Sequence, residues 1–192
     1  VTRKVERLAF VYDTETTGLI ENRSMPLDRL PEVIEFYGET IDLNSGRKLD
    51  EYHTLIKPAK PLSPMPVDFK SKKTITDITG ITNEMLKNAP LFKGVSEKIF
   101  SLIESAPLVI AQNASFDRDM LDIEAERLSL RIEWPPVICS IEQTVHLKGY
   151  RLGLGALHEL LFGKTFSGAH RAKADVEALS RCCVELAKRG EL

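Results

Sequence analysis

The run Leu8-Ala9-Phe10-Val11-Tyr12 contains no charged residue, closes on Asp13, and leads into Thr14-Glu15-Thr16-Thr17-Gly18. A short apolar, β-favouring stretch bounded by turn chemistry predicts a buried strand that delivers a carboxylate at its end. Residues two apart in an extended strand share a face, so Asp13 and Glu15 present their carboxylates together. Two like charges side by side are costly unless a cation joins them. Taken alone, Asp-x-Glu is compatible with a solvent-facing strand end. Behind an apolar strand and before a Thr-Thr-Gly turn, it becomes a candidate site for a hard metal such as Mg²⁺ or Mn²⁺, which prefer oxygen ligands.

The rest of the chain supplies the frame for that strand. Residues 33–41 and 52–57 read as second and third strands, joined by the turn Asn44-Ser45-Gly46, and the short connections favour an antiparallel meander. Pro58, Pro61, Pro64 and Pro66 make the following stretch a loop, because proline lacks the N–H that ladders and helices need. Helical spacing over 95–105 precedes a buried strand at 107–111, and a helix over about 115–130 precedes a last short strand at 137–139. Helices then occupy 141–147, 154–162 (closed by Gly163) and 172–189, the last with Val176, Leu179, Cys183 and Leu186 inward. Hairpin-linked strands followed by alternating helix and strand predict an α/β fold: a mixed five-stranded sheet, antiparallel meander plus parallel strands, flanked by helices.

Length and composition bound the function. A chain of 192 residues with 43% hydrophobic content fits one domain with a real core, expected to span residues 1–192. A formal charge of −2 argues against a protein that coats duplex nucleic acid, which draws on many cationic contacts to phosphate. Cys139 and the adjacent Cys182 and Cys183 have neither zinc spacing nor a disulfide framework, so a reducing compartment fits. The opening Val1-Thr2-Arg3-Lys4-Val5-Glu6-Arg7 lacks a signal-peptide centre, and no apolar run reaches membrane length. A soluble, cytoplasmic protein without a membrane partner is the expectation.

Two further motifs complete the chemistry. Asp117 opens the helix after the strand ending at Ala111, within Asn113-Ala114-Ser115-Phe116-Asp117. By itself an acid there only favours the helix dipole. His170-Arg171-Ala172-Lys173-Ala174-Asp175 sets a His just before a helix and an Asp in its first turns. Each is weak alone; the conjunction is not. In order and context the three resemble the motifs of the DEDDh, or DnaQ-like, 3′–5′ exonucleases, which include DNA polymerase proofreading subunits and domains. Pro31-Glu32-Val33-Ile34-Glu35, Ile78-Thr79-Gly80-Ile81-Thr82 and the helix within 151–163 resemble intervening family segments, so the likeness covers about residues 8–187. Gln112 stands where the family often has His, and Cys139-Ser140 where many members have Asp-Thr.

The resemblance implies a ribonuclease H-like fold and two-metal hydrolysis at a nucleic-acid 3′ end, releasing nucleoside 5′-monophosphates. Asp13 would bridge two Mg²⁺ or Mn²⁺ ions, Glu15 and Asp175 would complete the inner site, and Asp117 would hold the second ion directly or through water. His170 is the implied general base, a role suited to an imidazole whose ordinary pKa is near 6.5. Backbone N–H groups around Thr14, Thr16, Thr17 and Gly18, together with Asn113, are expected to meet the terminal nucleotide, and Leu19 and Ile81 to flank its base. Single-stranded or frayed DNA is the first expected substrate, with a DNA polymerase or other replication protein as partner. The alternatives are RNA 3′-end trimming and a non-catalytic polymerase-associated binding module.

Overall fold

The computed structural model describes residues 6–67 and 70–192; Val1 to Val5 of the opening segment lie outside them. Five strands form one sheet in the order β3-β2-β1-β4-β5. They are β1 (Leu8–Thr16), β2 (Val33–Asp42), β3 (Lys48–Leu55), β4 (Val109–Ala111) and β5 (Val137–Cys139). β1–β2 and β2–β3 pair antiparallel, while β1–β4 and β4–β5 pair parallel, the mixed arrangement expected from the short and long connections.

Strand alternation divides β1 between two cores. Ala9 and Val11 pack with Tyr37 and Ile41 of β2 against Ala172, Val176, Leu179 and Cys183 of helix α7 (Ala172–Arg189). Phe10 and Tyr12 turn the other way, with Phe36, onto α3 (Phe92–Glu104) and α4 (Ala114–Arg127). Burying one such aromatic or aliphatic side chain is worth about 1.5–3 kcal/mol, so covering both faces fixes the register of β1. Gly38 on β2 is required by this packing: a Cβ there would stand 2.2 Å from the Phe10 ring.

Several boundaries differ from the sequence reading. The third strand runs Lys48–Leu55 rather than 52–57. It is an edge strand whose residues are exposed or half-buried, so burial imposes little hydrophobic pattern on it, and the chain leaves the ladder as Lys57 N–H donates to Pro90 O. Residues 141–147 split into α5 (Ser140–Gln143) and a separate 3-10 turn, Val145–Leu147. The short helix α1 (Ile75–Thr79) lies where the sequence reading has a turn, although Thr74-x-x-Asp77 forms a capping box at its start, while α2 (Asn83–Leu86), capped by Thr82, follows that turn as the family resemblance implies. Helix α6 (Leu154–Phe162) ends on left-handed Gly163 and α7 spans its expected range. No helix among the described residues is long and apolar enough to cross a membrane.

Candidate active site

The acids gather at the end of β1. Because Ala9 and Val11 face α7, the two-residue period carries Asp13 and Glu15 to the same side, where Asp175 descends from the first turn of α7. One carboxylate oxygen from each of Asp13, Glu15 and Asp175 lies within 4.8 Å of the others. Asp117 arrives from the opposite face, on α4, and is not in that set. It is buried, and its Oδ1 accepts from the Thr14 N–H at 3.1 Å and the Thr14 hydroxyl at 2.7 Å. Its charge nevertheless acts on Asp13 more strongly than that of any other acid, so the two faces converge where β1 ends.

Electrostatics make the cluster unstable as four bare anions. Two unit charges about 4 Å apart repel by about 4 kcal/mol at an effective dielectric of ~20. Burial, then the charges of Asp117, Glu15 and Asp175, push the Asp13 carboxyl well above its usual range. Burial, with Asp175 and Glu35 behind it, raises Glu15 to about 8. Burial also lifts Asp117 to about 7 against the opposing Thr14 hydrogen bonds, and raises Asp175 against the His170 N–H. A divalent cation removes the conflict, and an all-oxygen donor set fits one.

A stability prediction arises here. Folded carboxyls with raised pKa hold protons that the unfolded chain has already released, so metal-free stability must fall as pH climbs from about 4.5 towards 8. We expect the melting midpoint of chelated protein to drop by on the order of 5 °C across that window, with millimolar Mg²⁺ reversing most of the loss. A flat profile in scanning calorimetry would contradict the cluster's electrostatics.

His170 precedes α7 in a left-handed conformation, φ 66°, and its backbone N–H donates to Asp175 Oδ2 at 2.9 Å. Such a backbone costs a non-glycine residue roughly 1–2 kcal/mol, so neighbouring contacts must hold it. The imidazole is exposed and bonds to no described residue. Next to it, Arg171 grips the fully buried Glu35 of β2 with two bonds, Nε at 3.0 Å and Nη2 at 2.7 Å. The Ala172 N–H at 3.1 Å and His53 Nε2 at 2.8 Å complete the shell. Although burial would raise it, these bonds, Arg171 first and His53 next, hold the Glu35 carboxyl below its ordinary value.

The expected substrate contacts divide. The Thr14 N–H is committed to Asp117 and the Thr17 N–H to Glu32 O at 2.9 Å, so neither is free for a nucleotide. Thr14 instead aims an acid, and Thr17 Oγ1, by accepting the Glu32 N–H, braces the turn. The Thr16 hydroxyl donates to Gly18 O. Leu19 is 74% exposed, as an apolar flank must be. Ile81 is not: its side chain is enclosed with Ile34, Leu62, Ile75 and Leu86, because the capped α1–α2 segment turns it inward. Asn113 is exposed in the left-handed turn before α4. A groove of about 490 Å³ runs past Thr17, Gly18 and Leu19 to Lys60, Pro61 and Leu62.

The two departures from the family pattern meet in space. The Ser140 hydroxyl donates to Gln112 Oε1, and Gln112 Nε2 donates to Leu152 O at 3.2 Å. Together they tie the ends of β4 and β5 to the segment entering α6 without touching the acids.

A family model described as "Exonuclease" matches residues 10–182. The chain belongs to the exonuclease family. Within it, this is a DnaQ-like 3′–5′ exonuclease domain. The chain is 30% identical over 176 residues to the DNA polymerase III subunit epsilon of Pasteurella multocida, covering 88% of this chain and 64% of that protein. It is also 30% identical over 183 residues to the PolC-type DNA polymerase III of Caldanaerobacter subterraneus subsp. tengcongensis, covering 93% of this chain but only 11% of that protein. This exonuclease domain therefore spans about a tenth of the PolC-type relative's length. The nuclease domain of 3′hExo, a DEDDh family member bound to rAMP, shares the fold with a TM-score of 0.74 at 17% identity, covering 97% of this chain and 94% of that one.

Proposed function

We propose that the chain removes nucleotides one at a time from the 3′ end of single-stranded or frayed DNA, releasing nucleoside 5′-monophosphates. The observation that carries this is the convergence of Asp13, Glu15 and Asp175, one oxygen of each within 4.8 Å of the others, with Asp117 beside them and His170 at the start of the same helix as Asp175. Asp13, Glu15 and Asp175, joined by Asp117 directly or through water, would hold two Mg²⁺ or Mn²⁺ ions, which when bound supply the charge that steadies the attacking and leaving oxygens.

The chain's own groups do the rest. His170 takes the proton from the attacking water, a transfer for which an exposed imidazole bonded to no described residue is available. Thr14 keeps Asp117 turned to the site. Leu19 offers the terminal base an apolar surface without a hydrogen-bond code, so little sequence preference is expected. We take the groove of about 490 Å³ beyond Gly18 as the path of a single strand, so a paired end would have to fray before it entered. Because the curated relatives are DNA polymerase III proteins, we take a DNA polymerase as the partner and replicative or repair trimming as the role.

The test supplies end-labelled single-stranded DNA, a mismatched primer terminus, a matched duplex and single-stranded RNA, each with Mg²⁺ or Mn²⁺ and again with a chelator. We expect a ladder shortening from the 3′ end, fastest on single-stranded and mismatched DNA and abolished by chelation. Faster turnover of RNA would reassign the substrate; no metal-dependent shortening of any strand would leave only a binding module.

A further inference from the structure

The mechanism above leaves the buried Glu35 unused. Glu35 is fully enclosed on the sheet face that α7 covers, opposite Glu15 in the β1–β2 register, and receives four hydrogen bonds. Two come from the Arg171 guanidinium and one from the Ala172 N–H, so the two residues that follow His170 are both fixed to a single carboxylate on β2. A buried ion pair seldom adds stability over apolar packing of the same volume, so this arrangement needs another reason. The left-handed His170 backbone supplies it. With φ at 66° and an imidazole that bonds to nothing described, the backbone sets the point and direction from which the ring reaches out. That backbone is held from one side by Asp175 and from the other by Glu35 through Arg171 and Ala172.

We infer that Glu35 and Arg171 form a positioning pair for the reaction: clamped together across 136 residues of sequence, they set where the His170 imidazole stands relative to the three converging carboxylates. This rests on His170 being the base. Lysine cannot replace the arginine, because a point charge on a flexible stem lacks the fork that meets both oxygens of Glu35. A displacement of about 1 Å at a reacting group is enough to cost on the order of 10²-fold in rate.

The experiment is a double-mutant cycle in the full chain on labelled single-stranded DNA with Mg²⁺. Arg171→Lys is expected to lower kcat by about 10–100-fold with KM for the strand within about 3-fold. In a His170→Asn background, which keeps the left-handed backbone, the same change is expected to cost less than about 2-fold, since a residue acting through the imidazole has nothing left to position. Should Arg171→Lys melt early, Glu35→Gln, which keeps the side chain's size, carries the same cycle. An equal fall in both backgrounds, or no fall with His170 present, overturns the inference alone. Full turnover in His170→Asn overturns the base assignment and this inference with it.

Discussion

Asp13→Ala is expected to lower turnover by about 10⁴-fold or more, the scale seen when a site loses a group on which its other parts depend. The reason lies in where the strand puts it. β1 is the central strand of five, with neighbours on both sides and helices over both faces, so its end is the most rigid point at which groups from the two faces can meet. Glu15 and Asp175 reach Asp13 from the α7 side, and Asp117 acts on it from the α4 side. Losing it removes the acid on which the charges of Asp117, Glu15 and Asp175 all act. A second consequence runs the opposite way: the metal-free variant should melt above the wild type at pH 8, because one source of like-charge repulsion is gone. Single-turnover measurement with Mg²⁺, paired with a chelated melt, reads both. A fully active Asp13→Ala chain would remove the bridging role.

What could be read from the sequence was what is encoded locally. The β1 strand and its Asp-x-Glu pair were legible because burial on both faces forces an unbroken apolar run, and α7 because Val176, Leu179, Cys183 and Leu186 repeat at helical spacing and are buried. The start of β3 was not, since an edge strand can carry Lys48, Asp50 and Glu51 without penalty. Leu19 and Ile81 both resemble the family's apolar flanks of the terminal base, and only tertiary packing exposes one and encloses the other. The supporting roles were invisible for a different reason. Thr14 and Asp117 are 103 residues apart, Glu35 and Arg171 are 136, and Gln112 and Ser140 are 28. A hydrogen bond between positions so distant leaves no periodic trace in a single chain. Thr14 reads from its motif as a nucleotide contact, while its two donors serve the acid.

The exposed imidazole sets the second large effect. His170→Ala is expected to reduce turnover on single-stranded DNA by about 10²–10⁴-fold, the usual contribution of a general base. Alanine alone would confound the result, because it disfavours the left-handed backbone that His170 occupies and its strain could loosen the start of α7, with Asp175 on it. Asparagine separates the two effects. It enters the left-handed region far more readily than alanine and has no group that takes up a proton near neutrality. His170→Asn should therefore match His170→Ala in lost turnover while keeping the wild-type melting midpoint and the wild-type affinity for Mn²⁺ measured without substrate. The acids would remain in place and only the proton acceptor would be missing. If His170→Asn instead retains most of the turnover, His170 serves the chain as a turn residue, and the proton of the attacking water goes elsewhere.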